Sequence, residues 1–206
     1  MIHLALPTAD ENPIVGIIQM VLPFLDLEHG PWVAGGICRR LADGETVIGN
    51  SDIDIFSPNE KMHNWACDMI RSHKNNYTSP LFAVTNEQKF KNSVKFDVAV
   101  GQDQTVTFQF VRKEFYETAE QMFEVFDFPA CMFATDGENL IADDRAPAAL
   151  ASRTLTLHHQ PTRPLAARLA KYCAYGFTPG PGVLRAMLGT DLENFNPTEG
   201  LTVDEY

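Results

Sequence analysis

Long apolar runs, basic charge and paired cysteines are what this chain of 206 residues has least of. Its most apolar stretch, residues 14–25 (IVGIIQMVLPFL), is shorter than the roughly 20 apolar residues a bilayer span takes, and it contains Pro23. The opening MIHLALPTADENP has no basic region leading into an apolar stretch, so no secretory signal is read there. Sixteen Lys and Arg stand against 27 Asp and Glu, a formal charge of −11. That balance excludes a broad phosphate-neutralising face of the kind non-specific nucleic-acid binding requires, although a local basic groove stays open. The four cysteines, Cys38, Cys67, Cys131 and Cys173, form no C-x-x-C pair. Neither a zinc site nor a disulfide framework is expected, and reduced, buried thiols are. A soluble intracellular (cytoplasmic) protein without a membrane partner is the resulting expectation.

What is present is a globular composition, with 45% apolar residues and enough length for one large domain or a domain with an appended subdomain. Asp10 or Asn12 can cap a helix with Pro13 at its first position, and Ile14, Ile17, Ile18, Val21, Leu22 and Leu25 then share a broad apolar face. This helix is assigned to the core, with no chemistry.

The stretch with chemical content is residues 32–56, WVAGGICRRLADGETVIGNSDIDIF. It opens with a strand-like run, bends at Gly35-Gly36, passes a short segment carrying Arg39 and Arg40 and a turn at Asp43-Gly44, and ends in a strand. Side chains two apart on a strand point the same way, so Asp52 and Asp54 project together while Ile53 and Ile55 enter the core. Two carboxylates on one face repel each other unless a cation sits between them. Hard oxygen ligands held this way suit Mg2+ (or Mn2+), which completes its shell with water and substrate phosphates. Gly35 and Gly36 have no Cβ, so a phosphate can come close to the backbone there. The plainer reading is a half-buried strand with a wet face beside a Gly-Gly turn.

Further along, residues 57–60 (SPNE) signal a helix start, with Met62, Trp65, Ala66, Met69 and Ile70 on one side up to about His73. Strand-like runs follow at 81–85, 94–100 and 105–111, the last two forming a hairpin around residues 101–104. Residues 113–126 read as a helix, 131–135 as a strand and Asp136-Gly137 as a turn. Residues 145–177 are helical and locally basic, with short helices at 146–152 and 164–175 and another near 183–188 ahead of an acidic, frayed end. On the second of these helices Arg168 and Lys171 share a face.

Ala34-Gly35-Gly36 followed by Asp52-Ile53-Asp54-Ile55 resembles the signature of the polymerase-β-like nucleotidyltransferase superfamily. The succession VTFQFV, helix, FDFPAC, DG turn and RLAKYCAYGF is similar to predicted nucleotidyltransferases of phages and large viruses. The resemblance implies transfer of a nucleoside monophosphate from a nucleoside triphosphate such as ATP to an acceptor hydroxyl, with two metal ions held by Asp52, Asp54 and a third carboxylate. It implies a triphosphate side near Gly35 and Gly36, which Arg39 either contacts or leaves as a solvated helix residue. Ser51 either orients the first acid or simply opens the strand, and Arg168 and Lys171 either hold the β- and γ-phosphates or form a solvated helix face. In one respect the chain departs from the pattern: the strand expected to carry the third acid, VTFQFV, has Thr107 and Gln109 instead. Asp127 and Asp97 are the candidates to replace it, Asp127 being preferred.

The expected architecture is α+β, a mixed, mostly antiparallel sheet of a nucleotidyltransferase core flanked by helices, with a helical C-terminal part. A core over residues 1–140 and a helical subdomain over 141–206 with an acidic tail are the expected divisions. Two other functions stay open: a non-catalytic nucleotidyltransferase-like binding or assembly module, favoured by the missing acid, and a metal-dependent phosphohydrolase, disfavoured by the lack of a histidine ligand set. The acceptor, whether an RNA end, a protein or a small molecule, has no signature in the sequence.

Overall fold

The computed structural model describes residues 1–46, 52–75, 81–101, 104–159 and 164–190. Among the described residues eight strands form one sheet, with helices between several of them along the chain: β1 (Ile2–Leu4), α1 (Pro13–Val21), β2 (Trp32–Ala34), α2 (Gly36–Ala42), β3 (Ile53–Phe56), α3 (Glu60–Asn75), β4 (Phe82–Lys89), β5 (Ser93–Val100), β6 (Gln104–Val111), α4 (Ala119–Phe123), β7 (Phe133–Thr135) and β8 (Leu140–Ala142). The order across the sheet is β1-β8-β7-β2-β3-β6-β5-β4. Every neighbouring pair is antiparallel except β3 and β6, which run parallel. The expected α+β architecture is therefore the observed one, completed by α5 (Ala146–Ser152), β9 (Thr154–Leu155), α6 (Leu165–Ala174), β10 (Thr178–Pro179) and α7 (Pro181–Thr190).

Strand alternation divides the two faces of this sheet. Ile53, Ile55, Phe96, Phe108 and Phe110 are fully buried on one face, with Ile53 paired to Phe108 and Ile55 to Phe110. Phe96 meets Phe110 edge-on at 5.6 Å, and His63 of α3 packs its edge against Phe110, so α3 covers this side. Each such side chain contributes roughly 1.5–3 kcal/mol by leaving water. The opposite face carries the paired row Ala34, Asp54, Gln109 and Lys95, contributed in turn by β2, β3, β6 and β5. Directly paired residues point to the same side, so this row is continuous.

Helix α1 begins at Pro13 with Asn12 before it, as the sequence suggests, and buries Ile14, Val15, Ile17, Ile18 and Val21. The Asn12 side chain does not cap the helix; its Nδ2 donates to the Glu45 carbonyl at 2.9 Å and pins the end of α2 instead. The helix read over residues 113–126 is reduced to the short α4, because Thr118 breaks in with extended backbone and caps the Gln121 amide. Strand β1 was not legible as a strand and owes its existence to pairing with β8. Residues 47–51, which lead into β3, residues 102–103 of the turn after β5 and the acidic end from 191 lie outside the described residues.

Candidate functional site

The bend before α2 is built on Gly35, which has φ +83°, a conformation that costs any residue with a Cβ. Its amide donates to the Phe133 carbonyl at 3.1 Å, and its own carbonyl accepts from the Arg39 amide at 2.9 Å. Gly36 is different. Its backbone is ordinary, and a Cβ placed on it would meet nothing within 4 Å, so the space in front of it is open.

Asp54 stands next to this bend, paired with Ala34 on β2. Its Oδ1 is sealed from solvent and has no hydrogen-bond partner. Burial, and then the negative charge of Asp52, push its carboxyl from 3.8 up to about 7, while Lys171, Lys95 and Arg168 pull the other way. Burial, and then the charge of Asp54, push the Cys38 thiol up, and Cys38 donates to the Val33 carbonyl. It is therefore a neutral core thiol, not a nucleophile.

Asp52 lies just before β3 and is half-exposed, and its Oδ2 accepts from Lys95 Nζ at 2.8 Å. Lys95 is itself only 12% exposed, which makes the contact stronger than an ordinary surface ion pair. Since Lys95 belongs to the same row as Asp54, Asp52 and Asp54 share one face. Between Asp54 and Lys95 in that row sits Gln109, fully buried, with neither its amide nitrogen nor its amide oxygen partnered. Gln109 stands where the resemblance leads one to expect an acid, and Lys95 carries no local signal of its place in this row. Period-two alternation in VKFDVAV and VTFQFV was the available signal, but their placement beside Asp54 also needs the order β3-β6-β5.

Of the two other acids considered, Asp97 points the same way but is two strand spacings, about 10 Å, from β3. Its oxygens accept from Thr107 Oγ1 at 2.8 Å and Asn86 Nδ2 at 3.0 Å. Asp127, after α4, accepts from Arg168 Nε at 2.5 Å, both side chains being mostly buried. Among the described residues no three His, Cys, Asp or Glu side chains are grouped so as to hold a metal ion. Asp127 is thus tied to α6 through Arg168. Arg168 and Lys171 of α6 both act on the Asp54 carboxyl, so the structure brings these two cations to the acidic face.

Arg39 is directed elsewhere. It is 1% exposed, bonds Glu45 Oε1 at 3.1 Å and lies over the rings of Tyr175 and Phe177, 4.9 and 5.6 Å from their centres. This clamps α2 to the segment that follows α6. Ser51 lies outside the described residues.

Comparison with solved structures finds the same fold in CCA-adding enzymes. The Thermotoga maritima CCA-adding enzyme complexed with tRNA superposes with a TM-score of 0.58 at 16% identity, covering 88% of this chain and 42% of that one. A CCA-adding enzyme in complex with ATP gives 0.58 at 18%, covering 88% and 43%. The Bacillus stearothermophilus CCA-adding enzyme in complex with CTP gives 0.53 at 15%, covering 90% and 44%. The chain spans less than half the length of these enzymes. A search of curated proteins gave no match. A protein-family model described as Gabija anti-defense 2 family protein matches residues 16–153.

Proposed function

The chain belongs to the Gabija anti-defense 2 family, and on that premise we propose that it is a metal-dependent nucleotidyltransferase. It transfers a nucleoside monophosphate from a nucleoside triphosphate to a hydroxyl on a component of the Gabija defence its family is described as opposing. The observation that carries this reading is the Asp54 Oδ1, buried, unpartnered and next to a second carboxylate, beneath the cations of α6. A buried anion in this condition is costly unless it gains a counter-ion, and the ligand chemistry of two carboxylate oxygens fits a divalent cation such as Mg2+ or Mn2+.

Asp52 and Asp54 are the residues that would hold that cation. When bound, it would lower the pKa of the acceptor hydroxyl and offset charge on the transferring phosphate. The chain's own groups do the rest. Arg168 and Lys171 face the acidic pair from α6 and hold the β- and γ-phosphates, so that negative charge building on the leaving pyrophosphate is met in place. Open space at Gly36 admits the phosphate chain to the backbone. Asp127 is a positioning residue, fixing the Arg168 guanidinium through its Nε. Lys95 holds Asp52 oriented. The acceptor oxygen forms a bond to the α-phosphorus as the bond to the bridging oxygen breaks, pyrophosphate leaves, and the hydroxyl proton is released to water.

Incubation with α-labelled nucleoside triphosphates, Mg2+ and the Gabija components tests this. Label should enter one component, and Asp54→Asn should abolish its uptake. Absence of uptake together with no Mg2+-dependent thermal shift from any of the four ribonucleotides refutes the reading. A second function, a nucleotide-binding module without transfer, is favoured by one observation, the neutral Gln109 in the row beside Asp54. It predicts the thermal shift without the label. Among the described residues no helix is long and apolar enough to cross a membrane.

A further inference from the structure

The acidic face carries two carboxylates, one neutral amide and one ammonium. Asp52 and Asp54 supply the negative charge, Gln109 lies in register between Asp54 and Lys95, and the Lys95 ammonium rests on Asp52 at 2.8 Å. Gln109 is fully buried with both polar atoms unpartnered, so it is aimed into this site and waits for a ligand there. In-line displacement with a pair of divalent cations places them about 3.5–4 Å apart, each needing anionic oxygen ligands on the protein. This face does not provide them. Among the described residues there is no third acid in the group, and one oxygen of Asp52 already accepts from a cation.

We propose that this site takes a single divalent cation with its nucleotide, bound by Asp52 and Asp54 with the Gln109 amide oxygen turned toward it, and that the Lys95 ammonium stands where a second metal ion would be needed. The inference rests on the transferase reading above and specifies the ion content of that same site. Two carboxylates, one of them already held by the Lys95 ammonium and both faced by Arg168 and Lys171 of α6, suit one divalent ion accompanied by a triphosphate. A second divalent ion would have to displace Lys95 from a mostly buried position and then face Gln109, which carries no charge to hold it. The pairing register fixes this arrangement. A lysine anywhere else on β5 would not come opposite Gln109, and so would not reach across β6 to Asp52.

Frozen-solution EPR of the full chain with Mn2+ and the α,β-methylene analogues of the four ribonucleoside triphosphates tests the inference. The expected result is one nucleotide-dependent Mn2+ per chain with the hyperfine pattern of an isolated ion. A spin-coupled pair in the wild-type protein overturns the single-cation site and leaves the transferase reading standing, whereas the absence of any nucleotide-dependent Mn2+ overturns both. Lys95→Gln removes a competing positive charge from Asp52 and should raise Mn2+ affinity at least about tenfold. An unchanged or weaker affinity in that variant overturns the role given to Lys95. The double variant Lys95→Ala/Gln109→Glu should convert the spectrum to that of a coupled pair, and a folded double variant that retains the isolated-ion spectrum is a result against the proposal.

Discussion

Asp54→Asn is expected to stabilise the protein, and to do so more as pH rises. The Asp54 carboxyl titrates at about 7 in the folded protein against 3.8 for a free side chain. Below 3.8 both folded and unfolded chains carry the proton, and the acid costs nothing. Between that point and about 7 the unfolded chain releases its proton while the folded one retains it, so folding stability falls as pH rises. At about 1.4 kcal/mol for each unit of difference, the ceiling is on the order of 4 kcal/mol above neutrality, and relaxation and water entry reduce it to about 2–4. Asparagine has nearly the same shape and no charge to lose. For a chain of this size each kcal/mol moves the melting temperature by about 2–4 °C. The gap between variant and wild type should therefore widen by about 5–15 °C between pH 4.5 and pH 8 in metal-free buffer. Circular dichroism melts in the presence of a chelator measure it. A gap that stays constant or narrows over this range refutes the account of Asp54 as a half-buried acid whose sealed oxygen awaits a cation.

Arg168→Ala and Lys171→Ala should each raise the KM for triphosphate about tenfold or more, read by steady-state label transfer, because each removes a charge-assisted contact to phosphate. Equal loss with a diphosphate-truncated donor would contradict that assignment. Gly35→Ala should cost about 1–2 kcal/mol in denaturant melts because of its positive φ, whereas Gly36→Ala should leave stability within about 0.5 kcal/mol and impair nucleotide binding. His63, fully enclosed by α3 and Phe110, has its pKa lowered by burial and by Arg112, so the folded state resists protonation below 6.5 and loses stability as pH falls through that region. His63→Leu should flatten the loss between pH 6.5 and 5 in the same melts.

Much of the sheet was legible because local alternation dictates it. The Asp-Ile-Asp-Ile pattern puts Ile53 and Ile55 in the core of β3, and the runs at 94–100 and 105–111 do pair as a hairpin. Helix α5 spans the residues that composition suggested. What could not be read depends on partners far along the chain. Lys95 meets Asp52 only because β6 inserts parallel to β3 and carries β5 with it. Arg39 looked available to phosphate in a short basic segment, yet Tyr175 and Phe177, brought back by α6 and β10, close over it. Asp127, a candidate third acid from its place in FDFPAC, pairs with Arg168 of RLAKYCAYGF, an ion pair between two segments some forty residues apart that local pattern cannot reveal.

Calorimetric titration of nucleoside triphosphate with and without Mg2+, into the wild-type chain and Asp52→Ala, is the most direct trial of the acidic pair as the seat of a cation-borne nucleotide. Binding that needs Mg2+ in the wild type and disappears in the variant is the predicted result; binding of equal strength in both proteins, or indifferent to Mg2+, would contradict it.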